Sequence, residues 1–164
     1  MNACCFFGHR EVHDAIRPLL LQAIRTMIEQ MHVIDFYVGD KGCFDSMAFS
    51  CVKELQKEYP YIRLQVVLAY MPGQKAGLEK DYTDTIYPEN METVPRRFAI
   101  VARNHWMADR CAYAIVYVNG VGGAYSAAAY ADRKGVKICN LASATEQPAI
   151  LFRNTFSLGS ESDG

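Results

Sequence analysis

Apolar residues in this chain come in short dense runs, separated by longer stretches where they recur every three or four positions. The run at 3–7 is apolar throughout and stops at Gly8, the pattern of a strand buried on both faces. Across 12–31, Ile16, Leu20, Ala23, Ile24, Met27 and Met31 fall at helical spacing, which predicts a first covering helix. Residues 33–38 predict a second strand, broken by Gly39-Asp40-Lys41-Gly42. Phe44, Met47, Cys51, Val52 and Leu55 then form the stripe of a second helix. A third strand is expected at 62–70, rich in β-branched and aromatic residues. The fourth and most apolar strand is expected at 111–118. It is followed by Asn119-Gly120-Val121-Gly122-Gly123, a small-residue helix at 124–133, and a fifth strand at 136–141.

Two stretches lack a sustained period. Residues 71–94 mix prolines, glycines, tyrosines and charges, and are expected to be a long connection with little regular structure, of the kind that is often functional. Pro95 suits the first turn of a helix running to about 108. Beyond 141 the pattern weakens, with 150–158 read as an edge strand or docking arm and 159–164 as a disordered tail. Strand and helix otherwise alternate, which predicts an α/β fold: a Rossmann-like three-layer sandwich with a mostly parallel sheet of five strands or slightly more, and helices on both faces.

Composition limits the alternatives. A chain of 164 residues, 51% hydrophobic, buries one substantial core, so a single domain over 1–158 is expected. The formal net charge is −1 and the basic residues are scattered, which argues against duplex or single-stranded nucleic acid as partner. Six cysteines occur without any CxxC spacing, and the reading is buried reduced thiols rather than a metal or redox site. No apolar run approaches the roughly 20 residues of a membrane span, and no signal-like stretch precedes the first strand. A cytoplasmic protein is expected, and the tyrosine-rich loop with the apolar 150–158 segment suggests self-association into a homo-oligomer.

Candidate chemistry lies at the carboxyl ends of the strands, where open parallel sheets bind ligands. Gly8-His9-Arg10 follows the first strand, Gly39-Asp40-Lys41-Gly42 the second, and the Gly120 to Gly123 turn the fourth. If the first and fourth strands are neighbours, the first and last of these turns flank one crevice. Gly122 and Gly123, before a helix starting near Ala124, leave backbone N–H groups and the positive helix end open to an anion. Arg10 adds a fork suited to phosphate oxygens. A single glycine turn is usually no more than a turn, and it is the three together that point to a site. Asp45 reads equally as a helix-capping residue and as a ligand contact. Asp40, beside Lys41 in its turn, reads as an acidic group for ribose hydroxyls, or the two read as an exposed turn pair. His9 is assigned no catalytic role, and Trp106 and Met107 are read as packing residues rather than a stacking platform.

Four segments, Cys5-Phe6-Phe7-Gly8-His9-Arg10, Val38-Gly39-Asp40-Lys41-Gly42-Cys43-Phe44-Asp45, Arg103-Asn104-His105-Trp106-Met107-Ala108-Asp109 and Gly122-Gly123-Ala124, together resemble the SLOG superfamily. This group includes the Smf/DprA and LOG proteins, and the likeness is strongest to its YpsA-like branch of bacterial proteins. The resemblance implies a pocket for a nucleotide or nucleotide-derived ligand, with binding carried by Gly8, His9, Arg10, Gly39, Asp45, Asn104, Gly122 and Gly123. LOG enzymes carry a catalytic Glu after their glycine-rich turn. The corresponding stretch here has no acidic residue before Asp132. The expectation is therefore a nucleotide-binding or sensing domain without an assigned catalytic residue or metal. The alternative is an N-glycosidic-bond hydrolase that draws a carboxylate from another loop: Asp40, Asp45 or Glu79.

Overall fold

The computed structural model describes residues 2–71 and 84–143. Strands β1 (Ala3–Gly8), β2 (Asp35–Val38), β3 (Arg63–Val67), β4 (Thr85–Ile86), β5 (Tyr113–Tyr117) and β6 (Lys137–Asn140) form one sheet in the order β4-β3-β2-β1-β5-β6. Every pairing between them is parallel. The α-helices among the described residues are α1 (Arg17–Glu29), α2 (Cys43–Gln56), α3 (Ala99–Arg110) and α4 (Gly123–Arg133), with short 3-10 turns between elements. The architecture is the expected α/β three-layer sandwich.

Strand β1 shows how the sequence builds the layers. Successive side chains of a strand point to opposite faces. Cys4 and Phe6 therefore enter one core with the apolar stripes of α1 and α2, while Ala3, Cys5 and Phe7 enter a second core with α3 and α4. The Phe6 and Phe36 rings stack at 6.1 Å between centroids, tying β1 to β2 on the first face. Each such fully buried ring stabilises the fold by about 1.5–3 kcal/mol relative to exposure. Five of the six free cysteines are buried within these layers, and Cys43 is exposed. Burial pushes the Cys4 and Cys5 thiols well up from their ordinary range, away from thiolate chemistry.

Local sequence sets the helix ends. The first helical stretch opens as a 3-10 turn at Asp14–Ile16, where His13 Nδ1 accepts the Ala15 N–H at 3.1 Å, and Pro18 then stands in the first turn of α1. Pro95 likewise leads a 3-10 turn, Arg96–Phe98, and α3 follows from Ala99 to Arg110, two residues beyond the expected end. Within the connection expected at 71–94, of which residues 72–83 lie outside the described residues, strand β4 is a short regular element that the sequence did not mark. Its two residues run parallel to β3, with Val66 N–H donating to Asp84 O and Leu68 N–H to Ile86 O, both at 2.8 Å. Two residues cannot display a period, so backbone pairing carries this strand. The expected edge strand or arm at 150–158, the tail at 159–164 and Glu79 lie outside the described residues.

The sheet order decides where a site can form. The chain leaves β1 for α1 on one face, and leaves the adjacent β5 for α4 on the other. The two connections diverge, leaving a crevice between the carboxyl ends of β1 and β5.

Candidate functional site

A cleft of about 270 Å³ opens at this divergence, lined by Phe6, Phe7, Gly8, His9, Arg10, Gly39, Lys41, Asp45, Ile100, Arg103, Asn104, Gly123 and Ala124. It brings together eight of the sequence-expected residues: Gly8, His9, Arg10, Gly39, Asp45, Asn104, Gly123 and Ala124. The expected Gly122 and Asp40 are not among its lining residues, although each adjoins one that is. Shallower depressions continue from it past Arg10, one toward Gly42, Cys43 and Ser46, the other toward Asn119, Gly120 and Val121.

The turns are fastened to each other by backbone-directed bonds. Cys43 N–H donates to Arg10 O at 2.7 Å, joining the β1 and β2 turns. Gly42 has φ +93°, and a side chain there would place its Cβ 2.9 Å from Arg10 Cα, so this close approach requires glycine. Across the crevice, His9 Nε2 accepts the Asn119 N–H at 3.1 Å and the ring meets Tyr117 edge-on. His9 is thus a strut between the β1 and β5 turns. Asn140 closes the far side, accepting from Val118 N–H and Ala142 N–H at 3.1 Å and donating to Val118 O at 2.9 Å.

At the start of α4, Gly122 has φ +141° and no side chain caps the helix. A Cβ added at Gly120, Gly122 or Gly123 would meet nothing within 4 Å, so the first turn faces open space. Free N–H groups and the positive end of the helix dipole point there. Among the described residues the exposed Arg10 guanidinium has no hydrogen-bond or ion-pair partner.

The opposite wall is a buried charge network. Arg103 is 3% exposed, and its Nη1 lies 3.3 Å from both Asp40 Oδ1 and Val67 O. Its Nε donates to Asn104 Oδ1 at 3.0 Å. Asp40 also pairs with Lys41 at 3.8 Å, so its carboxylate is committed to two cations. Asp45 is 8% exposed, and its Oδ2 accepts the Lys41 N–H at 3.1 Å, holding the β2 turn onto α2. Burial raises the Asp45 carboxyl to about 6 against the lowering effects of Arg103 and the Lys41 N–H, with Asp40 adding to the rise. Gly39 makes this arrangement possible. A Cβ there would fall 2.4 Å from Arg103 Nη1 and 2.7 Å from Asp45 Oδ2.

Arg103 is the site residue that sequence reasoning left out, although it stands in one of the segments that carry the resemblance. Its signal was present: Ala99, Arg103 and Met107 fall four apart on the buried stripe of α3, where an arginine needs acidic or carbonyl partners. Trp106 and Met107 pack as expected. Met107 is buried in the second core, while Trp106 meets Tyr37 edge-on beneath the Arg110 guanidinium. Among the described residues no group of three His, Cys, Asp or Glu side chains is placed to hold a metal ion, and no helix is long and apolar enough to cross a membrane.

Compared with models of known protein families the chain matches none, and compared with curated proteins it finds no match. The chemistry of the cleft is therefore read from its own residues.

Proposed function

We propose that this cleft binds a phosphate-containing small molecule derived from a nucleotide, and that the chain is a binding or sensing domain akin to the SLOG superfamily. One observation carries the reading: the uncapped N-terminus of α4 and the Arg10 guanidinium, unpaired among the described residues, line the same cleft at the sheet's switch point. Backbone N–H groups and a planar cation together suit a multi-oxygen anion. The four SLOG-like segments support the kinship, since each contributes at least one residue to the cleft.

A thermal-shift screen with adenine nucleotides, ADP-ribose, NAD and cyclic dinucleotides tests this. At least one of them should raise the melting temperature, and Arg10→Ala should weaken that ligand about tenfold or more through loss of a charge-assisted bond. No stabilisation by any member, or equal stabilisation of Arg10→Ala, contradicts it.

A second reading, hydrolysis of an N-glycosidic bond, has one observation in its favour. Asp45 puts a carboxyl in the cleft with its proton affinity raised to about 6, within the range of acid–base catalysis. The absence of any acidic side chain in α4 before Asp132 keeps it second. Release of free base by the parent protein and its loss in Asp45→Asn would raise it to first place. No release across a broad nucleotide panel would dismiss it.

A further inference from the structure

Asp45 and Asn104 are each only half used by the protein. Asp45 spends Oδ2 on the Lys41 N–H, and among the described residues Oδ1 has no partner. Among the described residues no completely buried side-chain oxygen or nitrogen lacks a partner, so Oδ1 keeps some exposure, and its residue lines the cleft. Asn104 is fixed the other way round. The Arg103 guanidinium can only donate, so the amide oxygen must face it, and among the described residues Nδ2 has no acceptor, on a residue that lines the same cleft. Arg103 bonds Asn104 directly, while Asp45 is held by the Lys41 N–H, and the Arg103 and Asp45 side chains both close over Gly39.

A carboxylate acceptor and an amide donor lining one cleft are the wrong pair for phosphate, which only accepts and is repelled by an ionised Asp45. They are the right pair for a hydroxyl, which donates to one and accepts from the other. We infer that the Asp45–Arg103–Asn104 corner is a hydroxyl-recognition subsite, so the ligand is a nucleotide or sugar phosphate whose ring hydroxyls are free. The inference rests on the phosphate-binding reading and divides the cleft in two: anion at Arg10 and α4, sugar at the α3 wall. Arg103 is here a positioning residue. Asp40, the acidic residue that the sequence offered for ribose, is committed to Arg103 and Lys41.

Calorimetric titration of ribonucleoside monophosphates against their 2′,3′-dideoxy counterparts tests the subsite. The parent protein should favour the ribo form by about tenfold or more, the effect of a hydrogen bond to a charged group. Asp45→Asn and Asn104→Ala should each bring that ratio to within about threefold, while Arg10→Ala should weaken both forms alike and leave the ratio in place. Asn104 is only half-buried, so its variant keeps the test alive should Asp45→Asn fail to fold. Equal affinity for the two forms in the parent, or an unchanged ratio in both corner variants, overturns the inference alone. Absence of binding by every nucleotide overturns the phosphate reading and the subsite with it.

Discussion

At the scale of single residues, the cleft depends on side chains held in unusual surroundings. Asp45 is the clearest. Its folded-state carboxyl titrates near 6 rather than 3.8, because burial outweighs Arg103 and the Lys41 N–H. Folding thus favours the protonated form relative to the unfolded chain, and above about pH 6 the folded carboxyl is ionised. The stability associated with that proton is full below about pH 4 and is lost as pH rises through about 6. A rise of roughly two units corresponds to about 3 kcal/mol. Asp45→Asn removes this dependence, so urea denaturation should show the stability gap moving by about 2 kcal/mol in the variant's favour between about pH 4 and pH 7. A gap constant across that range would contradict the assigned surroundings of Asp45. The residue type and its place at a helix start were legible in the sequence. Its burial was not, because the surroundings that bury it, with Arg103 and Asp45 both closing over Gly39, are assembled only by folding.

At the scale of elements, two glycines mark opposite requirements. Gly8 ends β1 beneath α2, and a Cβ there would lie 2.2 Å from Phe44 Cγ and 2.6 Å from Phe44 Cβ, inside a completely buried ring. Gly8→Ala must push β1 and α2 apart, and should lower stability by about 1–3 kcal/mol or more, seen as a reduced urea midpoint. Gly123 opens α4 into empty space, so Gly123→Ala should leave stability within about 1 kcal/mol while weakening any anion held at that turn. Equal midpoints for the two variants would contradict this contrast. Both glycines were visible as turn residues, but which one packs and which one faces a ligand depends on the element opposite. The strands and helices with a long period, such as the stripe from Leu20 to Ile28 in α1, were legible within a few residues. Thr85–Ile86 was not, because a two-residue strand is defined by its partner β3 rather than by its own side chains.

At the scale of the whole molecule, parallel topology makes the site. The neighbouring of β1 and β5, conditional in the sequence, is realised by five parallel register pairs from Cys4–Tyr113 to Gly8–Tyr117. That pairing sets Gly8-His9-Arg10 beside the Gly120–Gly123 turn, and the His9–Asn119 bond locks them together. Alternation of strand and helix was enough to foresee the layers. The buried wall of Arg103, Asp40 and Asp45 needed three elements in register, α3 together with the turn after β2 and the start of α2.

The most direct test of the central claim is a map of backbone amide resonances in isotope-labelled protein titrated with the nucleotide that stabilises it most. The largest shifts should fall on residues 8–10 and 122–126, with smaller ones at 39–45 and 103–104, and Arg10→Ala should diminish them at a given ligand concentration. Shifts confined to the outer faces of α1 and α2, or no shifts at saturating nucleotide, would contradict the placing of a phosphate-binding site in this cleft.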